Sequence, residues 1–171
     1  MNTIRSADME DLERVTAIVR NATCHMEEQN IDQWDDIYPN RTTLRNDIEN
    51  GHMHVIENKT GIAGFVTLSP EELPEYNDVH WIYCGRVLAV YRLTIAPEHQ
   101  GRKLASRLMD FAEKEAESKG FDTIRLDAFT ENPQAVALYE RRGYRKAGTV
   151  HFRKGLFSCY EKLVSRSEDS S

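Results

Sequence analysis

The residues best suited to chemistry lie in Gln100-Gly101-Arg102-Lys103-Leu104-Ala105-Ser106, a tight glycine-containing turn followed at once by a helical pattern. A helix that opens straight from such a turn aims several unpaired N–H groups at one point. Those donors and the helix dipole suit an anion, a pyrophosphate above all. Arg102 and Lys103 add positive charge beside them. The plainer alternative is an ordinary strand–loop–helix connection, since short glycine loops before helices are common. Two familiar nucleotide signatures do not fit. There is no G-x-x-x-x-G-K-[ST], and no G-x-G-x-x-G with a following βαβ unit and a downstream acid. The loop therefore points to a phosphate but not to ATP or NAD.

The elements that must position this loop are legible on both sides of it. Ala89 to Ala96 is rich in β-branched and aromatic residues and reads as a strand. Pro97 ends it, because proline donates no ladder hydrogen bond. After the turn, Leu104, Leu108, Phe111 and Ala112 share one helical face, and Asp110, Glu113, Lys114 and Glu117 the other. A second informative stretch runs from Ile124 to Tyr144. A short strand, Thr123 to Ala128, leads through a loop to Asn132, which has the character of a helix N-cap before Pro133 at the first helical position. That helix is expected to end near Gly143, a good C-cap residue.

These two stretches, in this order and spacing, resemble the GCN5-related N-acetyltransferases, the GNAT superfamily. The residues that carry the resemblance are Gln100-Gly-Arg-Lys-Leu-Ala105 and Asn132…Ala135…Leu138-Tyr139…Gly143-Tyr144. The family's phosphate loop reads Q/R-x-x-G-x-G/A; Gln100 and Ala105 match its ends, and Lys103 stands at the middle glycine. The resemblance covers roughly Thr3 to Leu163. It implies an α/β GNAT fold over residues 1–164, with a central mixed, mostly antiparallel sheet of six or seven strands and helices on both faces. It also implies transfer of an acetyl group from acetyl-CoA to a primary amine by direct attack in a ternary complex.

Acyl transfer needs three roles filled. The amine must lose a proton, the tetrahedral oxyanion needs a donor, and the departing thiolate needs a proton. The resemblance puts Tyr139 beside the thioester sulfur as the acid; the alternative is a core aromatic with its hydroxyl bonded. It assigns the oxyanion donor to a backbone N–H at Leu93, Thr94 or Ile95. Gln100 through Ser106 would hold the pyrophosphate, with Asn132 and Ala135 near the pantetheine. Asp127 stands where similar ribosomal-protein N-terminal acetyltransferases place a glutamate base. Aspartate is one methylene shorter, and a structural strand residue is the competing reading. Arg92, Glu57 and His80 have weaker claims. Trp34, Tyr38, Trp81 and Tyr83 are candidates for an acceptor pocket or a cation–π seat for an amine. For the loop Asn30 to Asn40, aromatics packed on the core are the alternative.

Length and charge limit the choices. A chain of 171 residues reads as one domain with a sizeable core. Its net charge of −6 argues against a general nucleic-acid binder. No apolar run approaches the about 20 residues of a membrane span, and no basic-then-hydrophobic leader opens the chain. Cys24, Cys84 and Cys159 read as reduced thiols of a cytoplasmic protein. His52 and His54 share a strand face, but without further ligands at recognised spacing they suggest no metal site. Asp8 and Asp11 form a variant capping box before a helix carrying Leu12, Val15 and Ile18. Thr42 is expected to cap a second helix through Ile48. His52 to Glu57 and Ile62 to Leu68 form a hairpin across Asn58-Lys-Thr-Gly61. Pro70 to Asp78 reads as a solvated polar loop, with a substrate lip as the alternative. Tyr144 to Val150 and Phe157 to Val164 are closing strands, a plausible homodimer surface, and Ser165 to Ser171 a disordered tail. The competing function class is a non-catalytic acyl-CoA-binding sensor or subunit, which would keep the phosphate loop and dispense with Tyr139 and a base.

Overall fold

Apolar runs, continuous in the central strands and alternating in β5, become strands, and 3.6-residue apolar stripes become helices. The computed structural model describes residues 2–164, so the expected tail lies outside the described residues. The strands are β1 (Thr3–Ser6), β2 (Met53–Asn58), β3 (Gly61–Ser69), β4 (Val87–Ile95), β5 (Thr123–Phe129), β6 (Arg145–Phe152) and β7 (Gly155–Leu163). The helices are α1 (Leu12–Glu28), α2 (Arg41–Glu49), α3 (Leu104–Ser118) and α4 (Pro133–Arg141). The seven strands form one mixed sheet in the order β1-β2-β3-β4-β5-β7-β6. The β1/β2, β2/β3, β5/β7 and β6/β7 ladders are antiparallel, and β4/β5 is parallel. By contacts the chain divides into two compact units, Met1–Leu68 with Tyr91–Met109, and Ser69–Val90 with Asp110–Ser171.

In the first unit, the apolar stripe of α1 (Leu12, Val15, Ile18) packs with Leu44 and Ile48 of α2 and with Met53, Val55 and Phe65 of the hairpin. Burying each such side chain contributes roughly 1.5–3 kcal/mol. Asp8 and Asp11 form the expected capping box, on a short 3-10 turn, Met9–Asp11, that precedes α1. The cap of α2 differs from expectation. Asn40, not Thr42, accepts the Thr43 N–H at 2.9 Å, because its short amide reaches the N3 donor while Thr42 already lies inside the first turn. Gly64 of β3 sits against β4, and a Cβ built on it would lie 2.6 Å from the Thr94 carbonyl oxygen.

In the second unit, β5 pairs with both β7 and the first half of β4, and Ile124, Leu126 and Phe129 are buried. Of Pro70 to Asp78, seven of nine residues are exposed, as the solvated-loop reading expects. The buried exception is Tyr76, within the 3-10 turn Pro74–Asp78. Further along, fully buried Glu161 accepts the Ile82 and Tyr83 N–H groups, each at 2.9 Å, and Arg145 at 2.7 Å. A buried carboxylate requires several donors of this kind.

Candidate functional site

The second unit carries the acid–base candidates. Alternation along β5 buries Leu126 and Ala128 and leaves Asp127 half-buried, opposite Cys159 in the β7 ladder. The Tyr76 hydroxyl donates to Asp127 Oδ2 at 2.5 Å. Tyr139 is the seventh of the nine residues of α4, further along than one turn, and is 6 % exposed. The rings of Tyr144 and Tyr160 lie 6.0 and 6.2 Å from it. Burial, and then the charge of Asp127, raises the Tyr139 phenol well above the usual tyrosine range. It therefore stays protonated at neutral pH. The same two causes push the Cys159 thiol up to about 12, which leaves it an unreactive core residue.

Asn132 caps α4, its side-chain oxygen accepting the Ala135 N–H at 3.3 Å. Its structural role is thus the expected one. Trp81 and Tyr83 are half-buried. The Trp81 indole donates to the Tyr76 carbonyl at 2.8 Å, and the Arg125 guanidinium lies 4.5 Å from the Trp81 ring centroid. Arg125 also donates to Glu72 at 2.7 Å and to the Tyr83 carbonyl at 2.9 Å. One cation–π seat at Trp81 is therefore taken by the chain's own guanidinium.

The first unit carries the candidate phosphate loop. Gln100 through Lys103 are exposed, Leu104 is buried, and Ala105 and Ser106 are half-buried at the start of α3. Gly101 and Lys103 both have left-handed backbones, with φ of 82° and 61°. Left-handed residues of this kind fold successive N–H groups into an anion-binding concavity. Lys103 takes the conformation that glycine would adopt freely. Nothing lies within 4 Å of a Cβ built on Gly101, so the loop's outer side is open. Exposed donors, Arg102 and Lys103 charges and the opening of α3 fit a pyrophosphate.

Arg92 on β4 also has a left-handed backbone, φ 54°. Its guanidinium bonds Asp47 bidentately, at 2.7 Å to each oxygen, and reaches the Tyr38 hydroxyl at 2.7 Å. Thr67 donates to the same carboxylate at 2.9 Å. Burial alone would lower the Arg92 pKa, and these bonds more than offset it, so the net direction is up. Thr94 donates its hydroxyl to the Arg92 carbonyl at 2.8 Å. Leu93 to Ile95 thus follow a kink locked from α2. Within the second unit, Val87 to Val90 of β4 pair with Thr123 to Leu126 of β5. Trp34 is buried in the core, whereas Tyr38 is exposed. Of the weaker base candidates, Glu57 is engaged by Arg5 at 3.0 Å and His80 is exposed.

Sequence reasoning missed two residues of these clusters, Tyr76 and Asp47. Each is defined by a bond to a residue far away in the chain. A lone tyrosine among the acids of Glu71 to Asp78 was the available hint for Tyr76. Among the described residues, no group of three or more His, Cys, Asp or Glu could hold a metal ion, and no helix is long and apolar enough to cross a membrane.

A family model described as Acetyltransferase (GNAT) family matches residues 10–144. The chain is 24% identical over 143 residues to the uncharacterized N-acetyltransferase YesJ of Bacillus subtilis, covering 81% of this chain and 79% of that one. A GNAT-family acetyltransferase from Streptococcus agalactiae superposes with a TM-score of 0.85 at 23% identity, covering 96% of each chain. The ribosomal-protein-S18-alanine N-acetyltransferase of Escherichia coli superposes with a TM-score of 0.72 at 17% identity, covering 100% of this chain and 99% of that one. At these identities the structural likenesses speak for the fold.

Proposed function

The chain belongs to the acetyltransferase (GNAT) family, and from that premise we propose that it transfers an acetyl group from acetyl-CoA to a primary amine of a small molecule or peptide, by direct attack. Within that family, the observation that carries the reading is the burial of the Tyr139 phenol on α4, where desolvation and then the Asp127 charge raise its pKa and keep it protonated. Asp127 takes a proton from the acceptor ammonium, which frees the nitrogen lone pair. The nitrogen forms a bond to the acetyl carbonyl carbon, and the carbon–sulfur bond breaks. Tyr139 gives its proton to the leaving thiolate, the second proton leaving the acylated nitrogen restores the phenol, and the proton held by Asp127 passes to solvent, so that one proton ends on the thiol and one in water. Burial keeps the phenol protonated, so it has a proton to give at neutral pH. The N–H groups of Leu93 to Ile95 stabilise the oxyanion. Gln100 to Ser106 hold the pyrophosphate, with Arg102 and Lys103 adding charge. Asn132 and Ala135, at the start of α4, border the pantetheine.

The test is release of free CoA from acetyl-CoA with a panel of amines, comparing wild type with Tyr139→Phe. Turnover of one amine class is expected, with kcat lower by about 10²-fold or more in the variant. Undiminished turnover would remove Tyr139 as the acid. No turnover with any amine, together with acetyl-CoA binding by calorimetry, would replace the enzyme with an acyl-CoA-binding module.

A further inference from the structure

Tyr76 is 1 % exposed, yet it comes from the polar stretch between β3 and β4. Its hydroxyl is 2.5 Å from Asp127 Oδ2. Its position is held from three directions. The Trp81 ring packs 5.3 Å from the Tyr76 ring, the Trp81 indole bonds the Tyr76 carbonyl, and Arg125 covers Trp81 while bonding Glu72 and the Tyr83 carbonyl. The phenol is therefore preorganised against the carboxylate and does not need to be ordered when an acceptor arrives.

We propose that Tyr76 is a positioning residue for Asp127. It holds the carboxylate in one orientation and lowers its proton affinity, so that Asp127 meets the acceptor as an anion. This rests on the acetyl-transfer reading for the task Asp127 performs. The physical warrant is that a hydrogen bond donated to the ionised form favours that form, and a short bond from a phenol to a carboxylate is charge-assisted. Among the groups facing Asp127 are Tyr76 from the loop, Tyr139 from α4 and Cys159 from β7. Both Tyr139 and Cys159 stay protonated at neutral pH. Donation by Tyr76 favours the ionised carboxylate. The β3–β4 segment is then part of the reaction's machinery as well as a packed strap.

The experiment is a carbon-13 NMR titration of the aspartate carboxyls in wild type and Tyr76→Phe, with Asp127→Asn assigning the resonance. The pH profile of kcat/KM is recorded beside it. Phenylalanine keeps the ring against Trp81 and removes the donor alone. The Asp127 resonance is expected to titrate about one pH unit higher in Tyr76→Phe, and the acidic limb of kcat/KM to rise by the same amount. An unchanged Asp127 titration overturns the proposal. A shifted titration with an unmoved kinetic limb also overturns it, since Tyr76 would then not govern the reacting group. Should Tyr76→Phe not fold, 3-fluorotyrosine at Tyr76, a stronger donor, should move the same resonance to lower pH. If wild type turns over no amine, the acetyl-transfer reading fails by itself, and the carboxyl titration still decides whether Tyr76 controls Asp127.

Discussion

Lys103 stands at the position where the family's phosphate loop carries glycine, and it adopts the left-handed backbone, φ 61°, that glycine would supply. A side chain in that region costs about 1–2 kcal/mol. Lys103→Gly removes that cost but adds unfolded-state freedom worth about 0.4–1 kcal/mol. The two nearly cancel, so the melting temperature should change little. The lost charge has a separate readout. KM for acetyl-CoA should rise several-fold at low salt, with kcat unchanged, and the difference should close as salt screens the phosphates. A KM gap that persists unchanged in high salt would show that the lysine acts through shape. The Asn132 cap and the turn that opens α3 were readable because each belongs to a local pattern. Tyr76 and Asp47 were not, because their partners Asp127 and Arg92 lie 51 and 45 positions away. No local pattern encodes such a pairing.

At the level of elements, β4 has the most demanding surroundings. Asp47 locks its left-handed Arg92, and β3 approaches it closely at Gly64, where a Cβ would meet the Thr94 carbonyl oxygen at 2.6 Å and Ile95 Cδ1 at 2.7 Å. The isoleucine can rotate, but the carbonyl belongs to backbone. Gly64→Ala should therefore destabilise the protein by about 1–3 kcal/mol. Hydrogen exchange should localise the damage, with faster exchange of the Ala96 amide, which bonds the Ala63 carbonyl at 2.8 Å. Uniform exchange across β3 and β4 in the variant would contradict this. The strands and helices themselves were legible from periodicity, with ends off by a residue or two. The cap of α2 was not, because Asn40 and Thr42 are both good capping residues and the entering chain selects between them. Pro70 to Asp78 was read as solvated because its sequence is acidic, and most of it is exposed. The burial of Tyr76 within it was not legible, because its partner Asp127 lies on β5.

For the whole molecule, four buried groups set the alkaline limit of stability. Burial is the first cause in each case. It raises the Tyr139, Tyr144 and Tyr160 phenols and pushes the Cys159 thiol up to about 12. In the unfolded chain these groups ionise near their ordinary values of 9.0 for the thiol and 10.0 for the phenols. Above pH 9 the unfolded state therefore holds fewer protons than the folded one, and stability falls as pH rises. Their contribution is fully present below pH 9. The melting temperature should hoid level to about pH 9 and decline through about pH 12, with a shallower decline in Cys159→Ala. A flat profile across that window would show that these groups titrate normally in the fold. The sequence by itself determined the family and the order of strands and helices, since periodicity, turn chemistry and motif spacing are local, and the resemblance nominated the loop 100–106, Tyr139 and Asp127. The tertiary structure alone decided that Lys103 adopts a glycine's backbone, that Arg92 is locked by Asp47 and that Tyr76 reaches Asp127. Those outcomes depend on which distant side chains burial brings within bonding distance, and a desolvated charge must find its partner wherever the fold supplies one.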